Sequence, residues 1–97
     1  MHYLLFYQAV PDYAEKRKGF RDLHLKYANE AVKRGELVLA GAFADPIDGA
    51  VLLFNVSSKQ TVEDFAKTDP YVTNGLVLHW IVREWTTVIG RDAAQSI

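Results

Sequence analysis

Of the three histidines in the chain, His2, His24 and His79, only His24 sits where its chemistry raises a question. It lies in GFRDLHLKY, residues 19–27, which reads as helix. On a 3.6-residue period Phe20, Leu23, Tyr27, Ala28 and Ala31 share one face, and His24 falls in the middle of it. A buried neutral imidazole needs both a donor and an acceptor partner, a cost that Leu or Phe at the same position would not carry. On periodicity alone, the commoner outcome is a half-buried core histidine with a backbone or water partner. The alternative is a general base, since imidazole takes up and returns protons near neutral pH. Arg21 stands one turn earlier, on the flank of the same face.

The second candidate is Asp69, at the head of DPYV. Asp before Pro is in the first place a helix N-cap, with Pro at the first helical position. Topology adds another reading. Asp69 begins the connection from the second long helix to the last strand, so it can approach the cleft between the first helix and the sheet. A carboxylate there would accept the imidazole Nδ1–H, fix the tautomer and raise the basicity of the ring. Other chemistry is poorly represented. The histidines have no metal-ligand spacing, no metal is expected, and His79 reads as a surface or interface residue. Gly41 and Gly49 are isolated rather than part of a phosphate loop, and no G-x-S-x-G elbow occurs.

These residues need elements to position them. Residues 2–10 are rich in aromatic and β-branched types and stop at Pro11, which predicts a strand. Asp12 and Glu15 have the spacing of a capping box, opening a helix that runs to Lys33 or Arg34 and ends at Gly35 in the left-handed conformation. Gly19 weakens its first turns. Strands follow over 36–44 and 50–56, joined by the turn DPIDG and therefore antiparallel. Residues 57–68 hold Ser and Thr caps and a short amphipathic helix with Val62, Phe65 and Ala66; 69–75 form a turn or helical fragment. The longest strand spans 76–89, and the tail from 90 to 97 has too little apolar content to order itself. The order βαββαβ is the ferredoxin-like α+β arrangement, a four-stranded antiparallel sheet with two helices on one face.

The second face of that sheet should be polar in a two-layer domain, yet it is not. Tyr3, Leu5 and Tyr7 oppose Leu4, Phe6 and Val10; Ala50, Leu52 and Phe54 oppose Val51, Leu53 and Val56, the last not strictly in phase; Trp80, Val82 and Val88 oppose Ile81 and Trp85. Two short helices do not cover both faces, so a second copy packed sheet against sheet is expected, giving an obligate homodimer. An RNA-recognition domain shares the element order, but GAVLLFNV lacks its basic and aromatic pattern.

Composition narrows the classes further. The 97 residues allow one small domain, spanning 1–97. With 11 Lys and Arg against 12 Asp and Glu, the formal charge is -1, which argues against nucleic-acid and anionic-membrane partners. Cysteine is absent, so disulfides, thiolate metal sites and a cysteine nucleophile are excluded. MHYLLFYQAV has no basic leading region or cleavage site, and no apolar run reaches membrane-spanning length. A soluble, cytoplasmic protein is expected.

RDLHLKY (21–27), LAGAFAD (39–45), KTDPYVTNGL (67–76) and VREW (82–85) resemble the YciI-like, or YCII-related, proteins, across nearly the whole chain from strand one to Trp85. The most specific parts are R-x-x-H-L in the helix and D-P-Y-V after the second helix. The resemblance implies a ferredoxin-like domain that pairs into a dimeric α/β barrel. It further implies His24 and Asp69 as a catalytic acid–base pair, with Arg21 as the matching basic residue and Gly41 as the glycine closing strand two. The family often has Gly-Pro there, where this chain has Gly41–Ala42 followed by Phe43. The reading that follows is a small cofactor-independent lyase or hydrolase acting on a small cyclic or aromatic metabolite. Dehydrochlorination of ring compounds is one such chemistry linked to the family. His24 is the base, Asp69 its orienting partner, Arg21 a holder of an anionic substrate group, and Tyr71 and Phe43 walls of the pocket. Two rivals share the cleft: a binding module that holds a metabolite without changing it, and a monooxygenase or isomerase of the wider dimeric α/β barrel group.

Overall fold

A computed structural model describes residues 1–95. The chain runs β1 (His2–Ala9), α1 (Tyr13–Lys16), a 3₁₀ turn (Arg17–Gly19), α2 (Arg21–Lys33), β2 (Leu37–Ala42), β3 (Gly49–Asn55), α3 (Lys59–Thr68), α4 (Pro70–Thr73) and β4 (Val77–Trp85). The strands form one sheet in the order β2-β3-β1-β4, with every neighbouring pair antiparallel. This is the expected ferredoxin-like α+β fold, a four-stranded antiparallel sheet with the helices packed on one face.

Strand alternation sorts the side chains as the sequence pattern requires. Tyr3, Leu5 and Tyr7 of β1 pair across with Phe54, Leu52 and Ala50 of β3, all buried beneath the helices. Ala28 and Ala31 of α2 and Val62, Phe65 and Ala66 of α3 complete the core, with the Phe65 ring 5.0 Å from that of Phe54. On the opposite face lie Leu4, Phe6, Val51 and Leu53, flanked by Ile81 at 55 % exposure and Leu39 at 72 %. No helix among the described residues is long and apolar enough to cross a membrane.

The first helical segment departs from the expected continuous helix. Asp12 adopts a left-handed backbone (φ 65°) and makes no side-chain cap, so the expected capping box with Glu15 does not form. Its carbonyl instead accepts from the Glu15 and Lys16 amides. After one turn the chain tightens into 3₁₀ geometry that ends on Gly19 and restarts as α2 after Phe20 (φ -123°, ψ 0°). Gly19 has little to gain from helix, and the break falls there. The restart also turns the buried stripe: Leu23, expected on the core face, is 58 % exposed, while Ala28 and Ala31 face the sheet. The other end follows expectation. Gly35 (φ 78°) donates to Val32, and Glu36 donates to Ala31, the paired bonds of a Schellman cap.

Beyond β4, the Thr87 carbonyl accepts from Gln95 N–H at 3.0 Å, and the Thr87 hydroxyl accepts from Ala94 N–H at 2.8 Å. The expectation of a loose tail over 90–97 falls partly on residues 96–97, outside those described.

Candidate active site

Asp69 occupies a junction that the sequence dictates. Pro70 disfavours helical backbone in the residue before it, so α3 stops at Thr68 and Asp69 is extended (φ -61°, ψ 128°). Pro70 then starts α4, and Asp69 Oδ1 caps it by accepting the Tyr71 N–H at 2.9 Å. The same carboxylate does more than cap. Oδ1 also accepts from His24 Nδ1 at 2.8 Å, and Oδ2 accepts from the Tyr7 hydroxyl at 2.7 Å. Asp69 is fully buried, at 0 % exposure, and these three donors offset the cost of burying its charge.

This arrangement selects one form of His24. An ionised carboxylate only accepts, so Nδ1 carries the hydrogen and Nε2 keeps its lone pair in the neutral ring. Nε2 has no protein partner among the described residues, yet no buried side-chain nitrogen or oxygen among them is left unsatisfied. Nε2 is therefore open to solvent, consistent with a His24 side chain that is 14 % exposed. The ring stacks on Tyr71 with centroids 3.8 Å apart and planes 5° from parallel, which fixes its plane and offers a π face to an imidazolium.

Tyr7 reaches this cluster from the floor, on the helix-facing side of β1. Burial pushes its phenol far above the ordinary tyrosine range, and the neighbouring Asp69 charge adds to the rise. Tyr7 thus remains a protonated donor and holds the carboxylate from the side opposite His24.

The open side of His24 faces a cleft of about 410 Å³ between α2 and the edge strand β2. Tyr7, Ala50 and Leu52 form its floor; Leu25, Ala28 and Val32 of α2 face Leu37–Ala42 of β2 across it. One end is polar, with Tyr13, Arg17, Arg21 and Tyr71 beside His24. The Arg17 guanidinium lies 5.4 Å over the Tyr13 ring, and Tyr13 meets Tyr71 edge-on at 5.8 Å. Burial raises the Tyr13 and Tyr71 phenols; the Arg17 and Arg21 charges counter part of that rise at Tyr71.

Of the residues singled out from the sequence, His24, Arg21, Gly41 and Tyr71 line this cleft and Asp69 lies directly behind it. Phe43 does not line it. Its amide donates to the Gly49 carbonyl at 2.9 Å, and its ring lies 3.3 Å from where a Cβ on Gly49 would sit. Three residues in the cluster escaped sequence reading: Tyr7, Tyr13 and Arg17. Tyr7 was legible only as one of three inward side chains on β1, and nothing in that alternation separates a carboxylate partner from core filling. Arg17 stands four residues before Arg21, a spacing that would have placed the two together on one helix face.

Comparison with known proteins settles the family. The YCII-related domain matches residues 1–86. The chain belongs to the YCII-related domain family. An uncharacterized protein of Haemophilus influenzae is 29 % identical over 97 aligned residues, covering 91 % of this chain and 99 % of the relative. Among solved structures, this YCII-related chain is similar to 5-chloro-2-hydroxyhydroquinone dehydrochlorinase from Burkholderia phenoliruptrix, solved in complex with 2,5-dihydroxybenzoquinone. That likeness has a TM-score of 0.76 at 21 % identity and covers 90 % of this chain and 95 % of the other. A protein from Agrobacterium tumefaciens is similar at TM-score 0.59 and 15 % identity, over 99 % of this chain and all of the other. At these identities the solved structures speak to the fold.

Proposed function

We propose that this YCII-related chain is a cofactor-independent acid–base enzyme acting on a small cyclic or aromatic molecule, with His24 Nε2 as the general base. The observation that carries the reading is the 2.8 Å bond from His24 Nδ1 to a fully buried Asp69 that is itself held by Tyr7 and the Tyr71 amide. This is how a base is made reliable: the tautomer is fixed, the ring cannot swing, and the imidazolium formed on proton transfer meets a carboxylate. Similarity to a dehydrochlorinase supports an elimination as the reaction class. In such a step Nε2 takes a proton from the ring compound, the released electron pair forms a new double bond, and the leaving group departs with its own bonding pair. Hydrolysis by a water activated at Nε2 is the other reaction the same geometry serves.

The experiment is turnover of 5-chloro-2-hydroxyhydroquinone and a panel of halogenated and hydroxylated rings, followed by halide release. Loss of His24 (His24→Ala) should lower turnover by about 10²–10⁴-fold. Asp69→Asn, which keeps the volume but loses the charge, should fall in the same range. Full activity in both variants on a turned-over substrate defeats the proposal. Binding without any chemical change in the wild type would instead favour the metabolite-binding reading.

The homodimer belongs to the same proposal. Leu4, Phe6, Leu39, Val51, Leu53 and Ile81 form an apolar sheet face that a second copy would cover, as the group's fold suggests. Sedimentation of the wild type should give a dimer, and Ile81→Glu should give monomers; a monomeric wild type removes this part.

A further inference from the structure

The cleft beside His24 is unusually one-sided in charge. The chain carries 12 Asp and Glu against 11 Lys and Arg, yet no Asp or Glu lines the cleft among the described residues, while Arg17 and Arg21 both do. The nearest acid is Asp69, and its two oxygens are already taken by Tyr7, Tyr71 and His24. Neither arginine forms an ion pair with a carboxylate of the described residues, whose salt bridges are Lys18–Glu15, His24–Asp69 and Arg34–Glu36. Arg17 rests on Tyr13 and its guanidinium acts on the Tyr13 phenol, as that of Arg21 does on the Tyr71 phenol. A neutral phenol leaves the positive charge of each uncompensated, with further N–H groups on each fork to donate. Two unpaired guanidiniums on one rim repel each other mildly. A structure that keeps them together beside a solvent-open base gains from that only when an anion joins them.

From this juxtaposition we infer that the cleft takes a ring compound bearing an ionised acid group, with Arg17 and Arg21 gripping the acid and His24 facing the ring. The inference rests on the reading of the cleft as a small-molecule site and names the substrate class. Arg21 and His24 are three residues apart on α2, which sets their Cβ atoms about 5–6 Å from each other. That is on the scale of one substituted ring, so the acid group and the proton to be removed fit on the same small molecule. The apolar wall formed by Leu25, Ala28 and Val32 continues away from this end and suits the rest of the ring. Volume agrees: about 410 Å³ is at the small end of ligand-sized pockets.

The test compares salicylate with salicylamide, which has nearly the same shape but no carboxylate, in binding to the full-length protein by calorimetry and amide shift mapping. Salicylate is expected to bind at least about tenfold more tightly and to shift the amides around Arg17, Arg21 and Tyr71. Arg17→Gln and Arg21→Gln should each weaken salicylate by about tenfold and leave salicylamide unchanged, and the double variant should erase the preference. Arg21→Lys should restore part of it by returning the charge without the fork. His24→Ala should keep the preference, which separates this proposal from the catalytic one: turnover can fail while acid selection stands, and neutral rings can turn over while acid selection fails. Equal affinity for acid and amide overturns the inference. So does a preference that survives loss of both arginines, or no binding of salicylate, benzoate or inorganic phosphate.

Discussion

The cleft has a floor and a rim, and the two are built on opposite terms. On the floor, Asp69 is fully buried and accepts three hydrogen bonds from three separate elements: Tyr7 on β1, His24 on α2 and the Tyr71 amide on α4. Each partner constrains the others, so the group moves only if the fold moves. On the rim, Arg17 is part-exposed and Arg21 exposed, and they touch only the neutral phenols of Tyr13 and Tyr71, with no carboxylate partner among the described residues. The difference separates two tasks. Buried groups with complete partners set the direction and state of the base, while exposed groups with free donors are left for the ligand. Floor substitutions should therefore cost stability and rim substitutions should not.

The largest effect is expected at Asp69. Asp69→Ala leaves His24 Nδ1–H, the Tyr7 hydroxyl and the Tyr71 amide with no acceptor in a dry site. Breaking a buried charged pair from one side costs about 3–5 kcal/mol, which equilibrium urea unfolding would read directly. Asp69→Asn should be much milder, since the amide oxygen still accepts and its NH₂ can donate to the Tyr7 oxygen. A loss below about 1 kcal/mol for Asp69→Ala would mean that water or local rearrangement satisfies the three abandoned donors.

A smaller effect is expected at Tyr7, and it has a pH signature. Tyr7→Phe removes one donor and leaves Asp69 Oδ2 unpaired, for a loss of about 1–3 kcal/mol near neutrality. The folded-state phenols of Tyr7, Tyr13, Tyr27 and Tyr71 are all raised by burial above their ordinary value near 10. Above about pH 10 the unfolded chain therefore loses tyrosine protons that the folded one retains. Their contribution to stability is complete below that pH and is lost as pH climbs through it. Melting curves across the alkaline range should show this decline, and Tyr7→Phe should flatten it, because Tyr7 has the largest rise. An equal alkaline slope in wild type and Tyr7→Phe would place that linkage elsewhere.

How much of this was readable beforehand depends on whether the physics was local. Strand alternation gave the sheet, its two apolar faces and the βαββαβ order, because a period of two needs no partner to be read. Asp69 was legible as a cap because Asp-Pro has one strong local meaning, and as a partner for His24 because topology brings that connection to the cleft. Where tertiary contacts decide, reading failed. The continuous first helix is expected from spacing, but the chain breaks at Gly19 and restarts after Phe20, and Leu23 is left on the exposed side. Tyr7 and Arg17 join the site through contacts 62 residues away in the first case and through a 3₁₀ turn in the second. Phe43, chosen for its place after Gly41, packs beside Gly49 instead of lining the cleft.

The smallest expected effect is the sharpest test of the contrast. Arg17→Gln and Arg21→Gln remove charges that have no carboxylate partner among the described residues, so the folded state loses no ion pair. Arg17 gives up its position over Tyr13, a part-exposed cation–π contact worth about 0.5–1 kcal/mol, and Arg21 gives up its contact with the Tyr71 phenol. Either single variant already relieves the repulsion between the two charges and the double relieves it only once, so the double should be slightly less stable than the sum of the singles. Thermal melts of the two single variants and the double should fall within about 1 kcal/mol of wild type. A larger loss would make the rim structural, and the division between a rigid floor and a recognising rim would not hold. A stability that rises in either single variant, with no further rise in the double, would be the clearest sign of the strain expected of a site kept ready for an anion.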